Sequence, residues 1–326
     1  MSDALALPPR PNLEQYKKLA KEFQQACKTG DPAAVRGWAA RWAEAIARLN
    51  RPPGNPDASR EVDLDVERIQ RQWQRIQKSN EHVGRCTLAV AQLLIARCHG
   101  FDSWPKFAKY VEALAHAHSP ESQFEAAADA VIAGDVETLG KLLRENPELV
   151  HTRSSREHRS TLLHYVSANG IEDFRQKTPG NAVEIAKLLL DAGADVNAES
   201  EAYGGRSTTL SLTATSYHPE AAGVQLQLLD LQIERGAIID GPDAGSTVNS
   251  CLHNGRGEAA EYLAARGARL DLEGAAGVGR LDIVKRFFDE AGGLKATATP
   301  GPLTDGFTWA CEFGRNDVID SLPSTA

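Results

Sequence analysis

The 326-residue chain carries 36 basic and 44 acidic residues, for a formal net charge of −8 and a sequence pI near 5.7, which argues against a general nucleic-acid binder. No apolar run approaches the length of about 18 residues that a membrane span needs, and the start, MSDALALPPRP, lacks the basic region and long apolar core of a secretory signal. With 42% hydrophobic and 25% charged residues, the composition fits a soluble protein with room for two domains.

Residues 1–10 read as a flexible leader. Asn12 then precedes Leu13, Tyr16, Ala20, Phe23 and Cys27 on one helical face, with Asn12 and Gln15 spaced as a capping box. Thr29-Gly30-Asp31-Pro32 ends that helix and starts another, with Asp31 as cap and Pro32 in the first turn. Val35, Trp38, Trp42, Ala45 and Leu49 form the second buried stripe, so an antiparallel pair is expected. After the breaker-rich segment Arg51–Ser59 comes a helix over about 64–79. Val66, Ile69, Trp73 and Ile76 line one face of it, and Arg68, Arg71, Arg75 and Lys78 another. That stripe would suit an acidic partner or nucleic acid. Glu61, Asp63, Asp65 and Glu67 balance it, and we read it as a solvated face. Leu88–His99 follows, capped by Thr87 and stopped by Gly100, and Lys106–Ala117 turns Phe107, Tyr110, Val111 and Leu114 inward. Ser119-Pro120 marks the expected boundary between an N-terminal helical module (1–118) and a second domain (119–326).

The second domain repeats itself. NAVEIAKLLLDAGADVN, over 181–197, is an amphipathic helix stopped at Gly193 and followed by an extended arm. Thr161-Leu162-Leu163-His164-Tyr165-Val166-Ser167-Ala168-Asn169-Gly170 precedes it. Other units align on an inter-helix break at Gly134, Tyr217, Gly255, Gly279 and Gly314. TLLHYVSANG resembles the T-P-L-H-x-A opening of an ankyrin repeat, a unit of about 33 residues, with Leu162 standing where the proline usually sits. PNLEQYKKLAKEF and AQLLIARCHGFDSWPKFAKYVEAL resemble a helical module found before ankyrin arrays in bacterial proteins. The resemblance implies an all-α chain, an ankyrin-repeat solenoid of about six irregular helix pairs with short hairpin arms, preceded by the helical domain. It also gives Thr161 and His164 structural hydrogen bonds. Insertions fall at Ile171–Gly180 and around His218–Gln225, and Leu270–Gly277 is too short for a full arm. The last unit stops at Ser321-Leu322-Pro323-Ser324-Thr325-Ala326, which suggests either truncation or cover by the N-terminal module or a second copy in a homo-oligomer.

Phosphate-loop, nucleophile-elbow, zinc-protease and dinucleotide motifs are absent. The five cysteines, Cys27, Cys86, Cys98, Cys251 and Cys311, are odd in number and scattered, which suits unpaired thiols in a reducing cytoplasm. His151, Glu157, His158, His164 and Asp173 cluster in sequence, but without the spacing of a ligand set, so no metal or cofactor is expected. The ankyrin resemblance instead implies a non-catalytic scaffold that binds another protein on a concave face of hairpin tips and inner helices. In this chain those positions include His158, Tyr165, Asn169, Tyr203, Arg206, His253 and Asn254, with Ser155 and Pro242–Ser246 at further tips, and Trp309 reads as core or groove. An enzyme or regulatory subunit that uses the inserted loops as a small-molecule or metal pocket is the alternative. Convergence of histidines or carboxylates in a cleft would favour it.

Overall fold

The computed structural model describes residues 4–8, 11–50, 58–79, 86–241, 246–290, 293–295 and 300–321. The protein is mostly helical, and its described strands, Glu199–Ser200 and Ser207–Thr208, are two residues each. Two compact units emerge: the first from residues 1–165, 170–177 and 200–206, the second from 166–169, 178–199 and 207–326.

The first unit contains α1 (Leu13–Lys28), α2 (Pro32–Asn50), α3 (Ala58–Lys78), α4 (Leu88–Cys98), α5 (Trp104–Leu114), α6 (Pro120–Ala133) and α7 (Val136–Glu145). Helix α1 packs on α2, α4 and α5, and α3 lies against α2 and α4. The caps follow the sequence signals. The Asn12 carboxamide accepts from the Glu14 amide, Asp31 from the Ala33 amide and Thr87 from the Val90 amide. Gly100 leaves α4 at φ 78°, where a side chain would be strained.

Aromatic rings fill this core. Phe23 meets Trp38 and Trp73 edge-on at 4.7 and 5.0 Å, and Tyr16 meets Phe107 at 4.9 Å. His99 lies parallel to Phe107 at 5.1 Å and is buried. Burial pushes its pKa down to about 3, and the Arg156 charge pushes the same way against a hydrogen bond to the Leu5 carbonyl. That bond overturns the expected flexible leader, at least over its described residues. Ala4 and Leu5 are buried, and the Leu5 amide donates to the Cys98 carbonyl at 2.7 Å. The cysteine reading is also corrected. Cys27 and Cys86 form a disulfide with a Cα separation of 6.0 Å, brought together by the packing of α1 on α4, while Cys98, Cys251 and Cys311 stay free.

The second unit contains α8 (Ala182–Asp191), α9 (Thr209–Thr215), α10 (Tyr217–Ala221), α11 (Gln225–Glu234), α12 (Thr247–His253), α13 (Gly257–Ala265), α14 (Leu272–Gly277), α15 (Leu281–Val284), α16 (Pro300–Glu312) and α17 (Asn316–Ser321). Helices α9, α12, α14 and α16 each pack on the next to make one row, and α8, α11 and α13 make another. Within the first row, α12 and α14 approach closely where glycines remove side chains. A Cβ on Gly274 would lie 2.6 Å from Asn249 Oδ1, and one on Gly277 would overlap the Leu252 side chain. The glycine-rich stretch after Asp271 is thus a packing feature.

Two expected elements differ. Leu162–Ser167 is a 3-10 helix, closed by a hydrogen bond from the Asn169 amide to Ser167 Oγ and followed by Ala168 at φ 48°. Tyr217, placed at an inter-helix break, starts a short helix of its own and is exposed. The hairpin tip over 242–245, the loop over 51–57 and the final residues 322–326 lie outside the described residues.

Candidate binding surface

Glu273 organises the surface of the α9–α12–α14–α16 row. It sits in the first turn of α14 and is 7% exposed. Its carboxylate accepts from Trp309 Nε1 of α16 at 3.0 Å and from Asn249 Nδ2 of α12 at 3.2 Å. His253 Nε2, at the end of α12, lies 2.7 Å from Glu273 Oε1. A carboxylate so enclosed is costly to leave unpaired, so each of these bonds is strongly held. His253 stays exposed while its ring packs 5.0 Å from the Trp309 indole. Asn254 is exposed next to it and donates to the Ser250 carbonyl at 2.8 Å. Phe307, on α16, is 45% exposed. Three helices therefore fix an imidazole and an indole edge on one surface with little freedom left to them.

The other expected site residues separate. Tyr203 is 57% exposed and Arg206 is exposed, at φ 54° and 61° around Gly204 and Gly205. Asn169 is half-buried, and its Nδ2 donates to the Leu212 carbonyl and Thr215 Oγ1 at 3.3 and 3.2 Å, which ties it to α9. Tyr165 and His158 do not lie on an open face, contrary to expectation, because both are buried against Glu172. The Tyr165 hydroxyl donates to Glu172 Oε1 at 3.3 Å, and His158 Nε2 lies 3.4 Å from the same oxygen. Thr161 Oγ1 and His164 Nδ1 lie 2.9 Å apart, the local pairing expected of them.

Glu172 is the centre of a buried ionic cluster that the sequence does not announce. Arg156 Nε lies 2.6 Å and Arg175 Nη1 3.4 Å from Glu172 Oε1, and Arg175 also meets Glu125 at 2.6 Å and Asp129 at 2.7 Å. Burial alone would raise the Glu172 pKa. The guanidiniums of Arg156 and Arg175, with His158, hold it well below the usual carboxylate range. The inserted segment Ile171–Gly180 thus supplies structural charges to this cluster. Asp173 pairs with Arg68, which takes one member of the basic stripe out of play.

A pocket of about 360 Å³ opens beside the cluster, with Asp102, Lys106, Tyr110, Arg156 and Glu157 among its lining. Asp102 pairs with Lys106, and Glu157 pairs with Arg97 at 2.7 Å. The Lys106 ammonium holds Asp102 below its ordinary value, and burial, then the neighbouring Asp102 carboxyl, raises Glu157. Among the described residues no group of three His, Cys, Asp or Glu side chains could hold a metal ion, and no helix is long and apolar enough to cross a membrane.

No family model matches the chain, and no curated protein matches it.

Proposed function

We propose that the protein is a non-catalytic interaction scaffold of the ankyrin type, and that it binds a protein partner on the surface around His253, Asn254 and Trp309. The observation that carries this reading is the Glu273 constellation. An exposed histidine and an indole edge held by a buried carboxylate lose little freedom on binding, which favours their use as contact anchors. The ankyrin reading is supported by the left-handed glycines Gly134, Gly170, Gly255, Gly279 and Gly314, which recur at inter-helix breaks with φ between 68° and 75°. Arrays of this kind gain stability from neighbouring repeats and offer an extended surface.

Affinity capture from a lysate of the source cell tests the reading, comparing the wild type with a His253→Ala, Asn254→Ala variant of unchanged circular dichroism and Tm. Loss of a captured protein from the variant supports the surface, and equal capture by both sinks it. A Tyr203→Ala, Arg206→Ala variant tests the exposed tip by itself. Light scattering of wild type and the His253→Ala, Asn254→Ala variant tests whether the partner is a second copy.

One observation favours a second reading, a small-molecule pocket with acid–base character. The Asp102 and Glu157 carboxyls line one pocket and have pKa values pushed in opposite directions, as in sites where one carboxyl donates and the other accepts a proton. Small phosphate and carboxylate esters that raise the Tm of wild type but not of Glu157→Gln would support this reading. No response across such a panel would remove it.

A further inference from the structure

A cavity reaches one half of the disulfide. A cavity of about 320 Å³ reaches Cys27 and is bounded by Asp31 and Val35 of the α1–α2 corner and by Gln70, Trp73 and Gln74 of α3. Cys86 is not part of that wall. The cavity is of the size that takes small ligands, and its glutamine carboxamides offer both donors and acceptors to a peptide-like molecule. The two sulfurs also differ electrostatically. Cys27 lies in the last turn of α1, at the negative end of a 16-residue helix. Cys86 directly precedes Thr87, the N-cap of the 11-residue α4, so the positive end of that helix favours negative charge on its sulfur. Exchange is fastest when the accessible sulfur is attacked and the sulfur that better carries charge departs. Access and leaving ability therefore select the same direction.

We propose that Cys27 is a thiol-exchange site for a small peptide-like thiol that enters this cavity. The incoming thiolate bonds to Cys27 Sγ, the Cys27–Cys86 bond breaks, and its electron pair leaves on Cys86 Sγ, which takes a proton from water. The product is a mixed disulfide on Cys27 and a free thiol at Cys86. A second small thiolate then bonds to the small-molecule sulfur on Cys27, frees Cys27 as a thiol and departs as the small disulfide. Two thiols are oxidised to one disulfide, and the protein bridge gains two electrons and two protons. Opening the bridge unties the end of α1 from the start of α4, at a sequence separation of 59 residues. The site does not rest on the proposed partner surface.

Reduced glutathione is the probe. The full chain, carrying Cys311→Ser to remove the exposed thiol, is incubated with it under native conditions, acid-quenched, alkylated and mapped by mass spectrometry. The expected intermediate carries glutathione on Cys27 and the alkyl group on Cys86, and a Gln74→Leu variant forms it several-fold more slowly. As a second measurement, Cys86→Ser incubated with oxidised glutathione takes up one glutathione on Cys27, whereas Cys27→Ser takes it up on Cys86 more slowly. Glutathione found chiefly on Cys86, equal rates in wild type and Gln74→Leu, or a bridge that stays closed would overturn the proposal.

Discussion

The two units are held together by different means. The first unit concentrates its stability in few places: interlocking aromatic rings, the Glu172 cluster and a covalent bridge. The second has a core dominated by small and aliphatic residues such as Ala259, Ala260, Leu263, Ala275 and Ala276, with glycines where helices meet. Large rings fit one geometry only, so the first unit depends on particular contacts. Stacked helices of small residues repeat the same modest contact, so the second spreads its stability along the row.

Removing the centre of the Glu172 cluster is the most severe test of the first unit. Glu172→Leu leaves Arg156 and Arg175 buried and short of their shared partner, which should cost about 3–5 kcal/mol in urea unfolding followed by circular dichroism. A cost under about 1 kcal/mol would mean that the cluster is dispensable and the contrast between the units is false.

Gly277→Ala probes the second unit. The added methyl would overlap Leu252 and lie 3.1 Å from Trp309 Cβ, so a loss of about 1–3 kcal/mol is expected. The same shift should loosen the Trp309–Glu273 hydrogen bond, seen as a change in indole fluorescence at neutral pH.

His99 gives the first unit a pH signature. The unfolded imidazole takes up its proton near 6.5, whereas the folded one resists until about 3. The stability due to the neutral ring is therefore complete above 6.5 and is lost as pH falls toward 3, at up to about 1.4 kcal/mol per pH unit. Stability measured between pH 7 and 5 should show that slope in wild type and lose it in His99→Gln. An unchanged slope in the variant would assign the titration elsewhere.

The smallest effects should be alike in both units. Thr87→Ala and Ser246→Ala each remove an N-cap bond, from the Val90 and Asn249 amides, and each should cost about 1 kcal/mol. A much larger loss for Thr87→Ala would show that the start of α4, beside Cys86, carries more than its cap.

What the sequence made legible was local. Apolar spacing marks α1 to α5, and the caps at Asn12, Asp31 and Thr87 are visible as residue types next to amphipathic runs, whereas Ser119, read as a boundary, proves to cap α6. What stayed hidden depends on partners distant in the chain. Glu172 reads as a surface charge in an insertion until Arg156 and Arg175 enclose it. Cys27 and Cys86 read as scattered until α1 meets α4. His253 and Trp309 were visible as candidates, but Glu273 sits in a glycine- and alanine-rich run that gives no hint of a carboxylate holding side chains 20 and 36 positions away. Tyr165 and His158 were misplaced because the insertion that buries them has no periodic pattern from which its path could be read.

The buried Ala4–Leu5 segment carries a consequence for the order in which its unit settles. Leu5 bonds through its amide to Cys98 and through its carbonyl to His99, and the His99 ring rests on Phe107. On the ribosome, where segments emerge in chain order, residues 4–8 emerge ahead of α4 and α5 and have nowhere to dock until those helices have followed. This segment is thus among the last of its unit to settle, although the helices it packs on are made after it.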